Sequence, residues 1–203
     1  MELSTEQKRK GILLELKDLL TGAAFPFLIQ PFLSASIILF ADYSGDKALQ
    51  IVVLLFGEIL LIGAYFIFGK QNGVTAYRRT IQHTAKRAVD GDSISAWLKT
   101  GEYAVWKAVV IGFISVFPFM LIQFIQCLAP NTFCEFVLKY AFGWAEYPFI
   151  VIGGKDGGIS QWLNFIWIII PVGVHIAAYI YGAKKEAVKQ AKVESARDIK
   201  KRR

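Results

Sequence analysis

Glu58 is the only charged residue between Ala48 and Gly69. It lies about ten residues from either end of that stretch, so a helix crossing a bilayer would hold it near the midplane. A carboxylate is costly there unless it is neutral, paired or hydrated. Two chemistries fit. Glu58 is either a proton- or cation-sensitive group in a polar pocket, or a protonated side chain bonding two helices together for about 0.6–2 kcal/mol. Gln30 sits near the middle of the preceding apolar stretch and is the natural hydrogen-bond partner. His175 follows Pro171 in the last apolar stretch. Its level differs from that of Glu58 by roughly 5 Å, which disfavours direct pairing. His175 is either a pH-sensitive lining group or a neutral imidazole bonded to a neighbouring helix. Gln123 and Asn164 would extend a polar seam if they face inward.

Cys127 and Cys134 flank the sequence LAPNTF. A disulfide across that short turn is one expectation and two free thiols the other. The sequence holds no Walker A loop, HExxH, GxSxG or metal-ligand cluster. The expectation is therefore a non-enzymatic protein with no metal and no cofactor.

The segments that must position these residues are apolar blocks. Leu19–Ala41, Ala108–Ala129 and Trp162–Tyr181 carry no charge, and Ala48–Gly69 carries one. Each is about 20 residues or slightly longer, which matches a hydrocarbon core of about 30 Å. The expected fold is all-α: an integral membrane protein with four transmembrane helices, over 19–41, 48–69, 108–129 and 162–181, in one membrane domain. Of 23 lysines and arginines, 20 fall in the N-terminal segment, the 70–107 loop and the 182–203 tail. The positive-inside rule then places both termini and that loop in the cytoplasm of a bacterial cell. The net charge of +7 fits basic flanks near anionic headgroups and calls for no nucleic acid. The expected partners are the lipid bilayer and, as a candidate, a protein partner or a second copy.

Residues 130–161 form the outer segment. Within it, 133–153 is apolar enough to be a fifth span, but Glu135, Lys139 and Glu146 would then meet lipid. An interfacial or re-entrant segment is the expectation. Residues 4–7, Ser-Thr-Glu-Gln, fit a capping box. They open an amphipathic helix expected to lie on the inner leaflet before turning into the first span. Gly73–Val89 reads as a helix continuing the second span, broken at Asp90–Ser93, with Ser93 capping a helix that carries Trp97.

FPFLIQPF (25–32) in the first span is nearly repeated by FPFMLIQF (117–124) in the third. AYFIFG closes the second span and AYIYG the fourth. The chain reads as two related hairpins in parallel repeat, the second one lengthened by its outer segment. Four prolines (26, 31, 118 and 171) each free a backbone carbonyl one turn back. Gly173 with Ala177, and Ala178 with Gly182, have the spacing of a helix-packing face.

The plan resembles a group of small multi-pass bacterial membrane proteins. The likeness rests on the basic loop leading into a span (Lys99–Ala108), on FGWAEYPFI (Phe142–Ile150) and on AYIYG before basic residues. It implies a four-span fold and brings no activity with it. The function expected from the residues is a small transporter-like protein or the membrane subunit of a transport assembly. The alternative is a structural or regulatory partner that docks through its basic loop and tail.

Overall fold

The computed structural model describes residues 5–43, 45–90, 101–153 and 161–201. Every regular element among them is helical: α1 (Thr5–Tyr43), α2 (Lys47–Asp90), α3 (Val105–Leu128), α4 (Thr132–Gly153), a 3-10 turn (Gln161–Leu163), the single turn α5 (Asn164–Trp167) and α6 (Ile169–Lys201). Four stretches are long and apolar enough to cross a membrane: Arg9–Ala41, Lys47–Lys86, Val105–Leu128 and Asn164–Arg197. They contain the expected spans 19–41 and 48–69 and match 108–129 and 162–181 to within two residues at one end. The helix α4 is not among them.

The patterning is that of a membrane bundle, with large apolar side chains outside and small or polar ones inside. On α1, Phe25, Leu28 and Phe32 face outward, while Ala23, Gln30 and Ser34 are buried. Gly57, Gly69 and Gly73 lie on the buried stripe of α2 with Leu61 and Tyr65. This stripe packs along α6, the most extensive helix pair in the protein, and α1 and α3 close the bundle. Small residues let the main chains of α2 and α6 touch. A Cβ on Gly69 would lie 2.6 Å from the His175 carbonyl oxygen, and one on Gly182 would lie 2.2 Å from that of Lys70. Ala178 and Gly182 thus pack as their spacing predicts. Gly173 and Ala177 do not: both are exposed, and nothing lies near a Cβ on Gly173.

α1 runs unbroken through Pro26 and Pro31. The turn expected between an interfacial helix and the first span is not made, because the first turns of α1 are tied to the rest of the protein. Glu15 pairs with the buried Lys107 and accepts the Gly101 N–H at 3.0 Å, and Asp18 pairs with Arg79. At this basic end of the bundle Arg78 also meets Glu186 at 2.8 Å and His83 meets Glu102 at 3.1 Å. α2 continues past its apolar block to Asp90, as the sequence predicts. Ser4 of the capping box and the expected Ser93 cap and Trp97 helix lie outside the described residues.

At the far end, α4 answers the question of the fifth span. It is a helix broken at Phe142, whose φ of −136° and ψ of 22° are not helical. Leu138, Phe142, Trp144 and Ala145 join Leu61, Tyr65, Val116 and Val172 in the main core. Phe142 and Trp144 hold ring centroids 5.7 and 5.5 Å from Phe119. Phe119 lies nine residues before the end of α3 at Leu128, about 14 Å down the helix. The break is therefore buried within the bundle. Irregular backbone at such depth is tolerated where protein covers it. Glu135 is exposed and Lys139 lies over the Tyr140 ring, 5.3 Å from its centroid, so both charges stay in the outer turns of α4.

Candidate functional site

Prolines shape the polar interior. Pro26 cannot donate to the Gly22 carbonyl, and Asn72 of α2 donates its side-chain amide to that oxygen at 3.0 Å. Ser115 stands three residues before Pro118, in the turn that the proline loosens. Its carbonyl accepts the Gln30 amide at 2.8 Å, and the same amide reaches the Pro26 carbonyl at 3.1 Å. The Ser115 hydroxyl donates to the Gly112 carbonyl at 2.7 Å. With that proton committed, Tyr65 is the donor in its 3.1 Å contact with Ser115 Oγ. The Tyr65 ring meets His175 edge-on at 6.3 Å between centroids. One side chain from each of the four spans, Gln30, Tyr65, Ser115 and His175, thus meets at a single buried node. The imidazole nitrogens of His175 and Oε1 of Gln30 have no hydrogen-bond partner within the chain.

Glu58 is not part of this node. The expected Gln30–Glu58 hydrogen bond is not made: the Gln30 amide donates to the Pro26 and Ser115 carbonyls instead. Glu58 lies seven residues before Tyr65 on α2, about 10 Å toward the far end. Its Oε2 accepts the Trp167 indole N–H at 3.3 Å. Pro171 opposes the carbonyl of the residue four before it, Trp167, and α5 ends there; Ile168 keeps helical angles (φ −57°, ψ −29°), and α6 follows from Ile169.

Beside Glu58 is a void of about 10 Å³, lined by Ser34, Ile37 and Ile38 of α1, Leu54, Gly57 and Glu58 of α2, and Gly143 and Trp144 of α4. The break in α4 is therefore immediately next to the intramembrane carboxylate. Ser34 and Trp144 are buried, and neither Ser34 Oγ nor Trp144 Nε1 has a hydrogen-bond partner.

Gln123 and Asn164 both face inward and bond to one another at 3.3 Å, so the seam expected toward the far end exists. It is separate from Glu58. Cys127 and Cys134 are free thiols. Gln123 donates to the sulfur of Cys127 at 3.6 Å and Asn131 to that of Cys134 at 3.2 Å, so each sulfur has a polar neighbour of its own. No group of three or more metal-ligating side chains occurs among the described residues.

Sequence reasoning picked out Glu58, Gln30 and His175 but missed Tyr65, Ser115, Trp167, Ser34 and Trp144. The signal available for Trp167 was Pro171 four residues on. For Ser115 it was Pro118. Tyr65 and Trp144 carry no comparable local mark.

No family model, curated protein or solved structure matched this chain. Four apolar spans with outward-facing large apolar side chains define a multi-pass α-helical membrane protein, in contact with the lipid bilayer through those faces.

Proposed function

We propose that the protein is a non-enzymatic transport component of the bacterial cell membrane, with its basic end in the cytoplasm. The observation that carries this reading is the break of α4 at Phe142, buried next to the Glu58 carboxylate. Broken helices at midplane depth, and ionisable groups beside them, are the features from which transport sites are built. In this reading α4 is the moving part. Its first arm is anchored by Leu138 and Phe142 in the core, and rotation about Phe142 and Gly143 alters access to Glu58. The two hairpins, α1–α2 and α3–α6, form the frame.

The test is charge movement by purified protein in liposomes on a solid-supported membrane, under steps of pH, salt or solute. Wild type should give currents that Glu58→Gln abolishes. Currents unchanged in Glu58→Gln, or no current from wild type under any gradient, overturn the reading.

A second reading is a regulatory membrane partner, favoured by one observation. Residues 191–197 at the end of α6 are all exposed. Ala183 and Glu186, by contrast, are buried, so a tail deletion that leaves the bundle intact begins at residue 191. Loss of co-purifying membrane proteins on deleting 191–203, with liposome currents absent throughout, would favour this reading over the first.

A further inference from the structure

The void beside Glu58 has a donor set with a definite preference. Two indoles belong to the site: Trp167 Nε1 is bonded to the carboxylate at 3.3 Å, and Trp144, whose Nε1 has no hydrogen-bond partner among the described residues, lines the void. Indole N–H groups only donate and cannot ligate a cation. Metal ions such as calcium and magnesium take about six oxygen ligands, and among the side chains lining the void only the Glu58 carboxylate and the Ser34 hydroxyl offer oxygen. Its volume, about 10 Å³, is at the lower bound for one water molecule. A water there would have three polar partners: it accepts from Trp144 Nε1, exchanges a hydrogen bond with Ser34 Oγ and donates to Glu58. That is the usual number for a buried water.

We propose that Ser34, Trp144 and Glu58 hold a single water molecule through which Glu58 takes up and releases a proton, and that the site selects protons over metal cations. The proposal rests on the transport reading only for its purpose; the water site itself stands on the geometry. In the step, a proton from the aqueous phase joins the water as another passes from the water to a Glu58 carboxylate oxygen, so that the O–H bond formed replaces the one broken and no hydroxide is left; release reverses the exchange. No redox partner is involved. Apart from Glu58, the titratable groups within the spans are Tyr65 on α2 and His175 on α6, which face each other, Tyr179 at the basic end against Tyr103, Tyr181 on α6 and Cys127 at the far end of α3. α1 presents none at this level. On α4, Glu135 is exposed, Lys139 lies on Tyr140, and Glu146 follows Trp144 by two residues.

Infrared difference spectroscopy on the full-length protein in lipid, titrated with acid, tests this. A protonated-carboxyl band that Glu58→Gln removes identifies Glu58. A water O–H band that shifts in 18O-labelled water should accompany it. Ser34→Val fills the void and removes the hydroxyl; Trp144→Phe removes the indole donor and leaves the void open. Each should eliminate the water band and change the proton concentration at half-protonation by about tenfold. Sodium or potassium should leave both bands unchanged. The proposal fails if no 18O-sensitive band exists, if neither variant moves the Glu58 titration while gel filtration shows both folded, or if a metal cation displaces the proton. Should the bands behave as expected while liposomes carry no current, the transport reading fails and the water site remains.

Discussion

Gly73 of α2 lies directly on the main chain of Tyr179 of α6: a Cβ at Gly73 would sit 2.0 Å from the Tyr179 carbonyl oxygen. The obstacle is backbone, not a side chain that can rotate away. Gly69 and Gly73 form a small-xxx-small pair on α2 that meets Ala178 and Gly182 on α6, so the closest approach in the bundle is at its basic end. The polar node of Tyr65 and His175 sits just above it and is held in register by it.

Gly73→Ala should therefore push α2 and α6 apart. Overpacking of a tight contact costs about 1–3 kcal/mol, and Gly182→Ala should behave alike. Gly63→Ala is the control, since a Cβ there meets nothing within 4 Å. Unfolding in mixed micelles, followed by circular dichroism, measures the difference. Equal stability of Gly73→Ala and Gly63→Ala would contradict the packing.

The Glu15–Lys107 pair ties the start of α1 to the start of α3, with side chains 21% and 6% exposed. Removing Lys107 alone strands a carboxylate that retains only the Gly101 N–H. Lys107→Met should destabilise, though by less than the roughly 3–5 kcal/mol of a fully enclosed pair, because Glu15 keeps some solvent. Adding Glu15→Gln should restore part of the loss, with a coupling of roughly 1–3 kcal/mol in a double-mutant cycle. Purely additive losses would mean that the pair does not act as a unit.

The spans were legible because the signal for each is local. A charge-free block about 20 residues long reports its own environment, whatever it packs against. The tie between the first helix and the rest was not legible. Glu15 and Asp18 look like ordinary charges of an amphipathic surface helix until Lys107 and Arg79 are placed beside them, and that placement is a property of the bundle. The same holds for the candidate site. A midplane carboxylate stands out from its neighbours in sequence, so Glu58 was found at once. Its partner Trp167 is 109 residues away, and an indole in an apolar block has no distinguishing context. Gln30 was assigned to Glu58 because both lie mid-span, but level alone does not decide a pairing. Main-chain carbonyls of Pro26 and Ser115 lay nearer to hand, and those took the amide. For residues 133–153, composition did not show which side chains are buried; that came from tertiary packing of Leu138, Phe142 and Trp144.

The node of Gln30, Tyr65 and Ser115 makes a graded prediction. Tyr65→Phe deletes one donor and keeps the ring against His175, so it should cost about 0.6–1.7 kcal/mol, the range for hydrogen bonds between membrane helices. Gln30→Leu removes two bonds to main-chain carbonyls, one in α1 and one in α3. It should cost more than Tyr65→Phe in the same micelle assay. The reverse order would place the stabilisation in the tyrosine hydroxyl instead of the amide.

Glu186 supplies the pH dependence. It lies beyond the apolar part of α6, and the Arg78 hydrogen bonds, with help from Gln190, hold its carboxyl below the usual value. A carboxyl lowered in the folded protein contributes stability that is complete above its unfolded value of about 4.3. That contribution is lost as pH falls through the lower folded value. At neutral pH, Glu186→Gln should unfold at a lower temperature than wild type. The gap should narrow steadily in acid, because wild type loses the ion pair there and the variant has none to lose. Arg78→Gln should reproduce the neutral deficit and the narrowing, since the interaction belongs to both residues. Thermal midpoints across an acid-to-neutral series measure this directly. A gap that stays constant with pH would mean that the contact between α2 and α6 here rests on shape and not on charge.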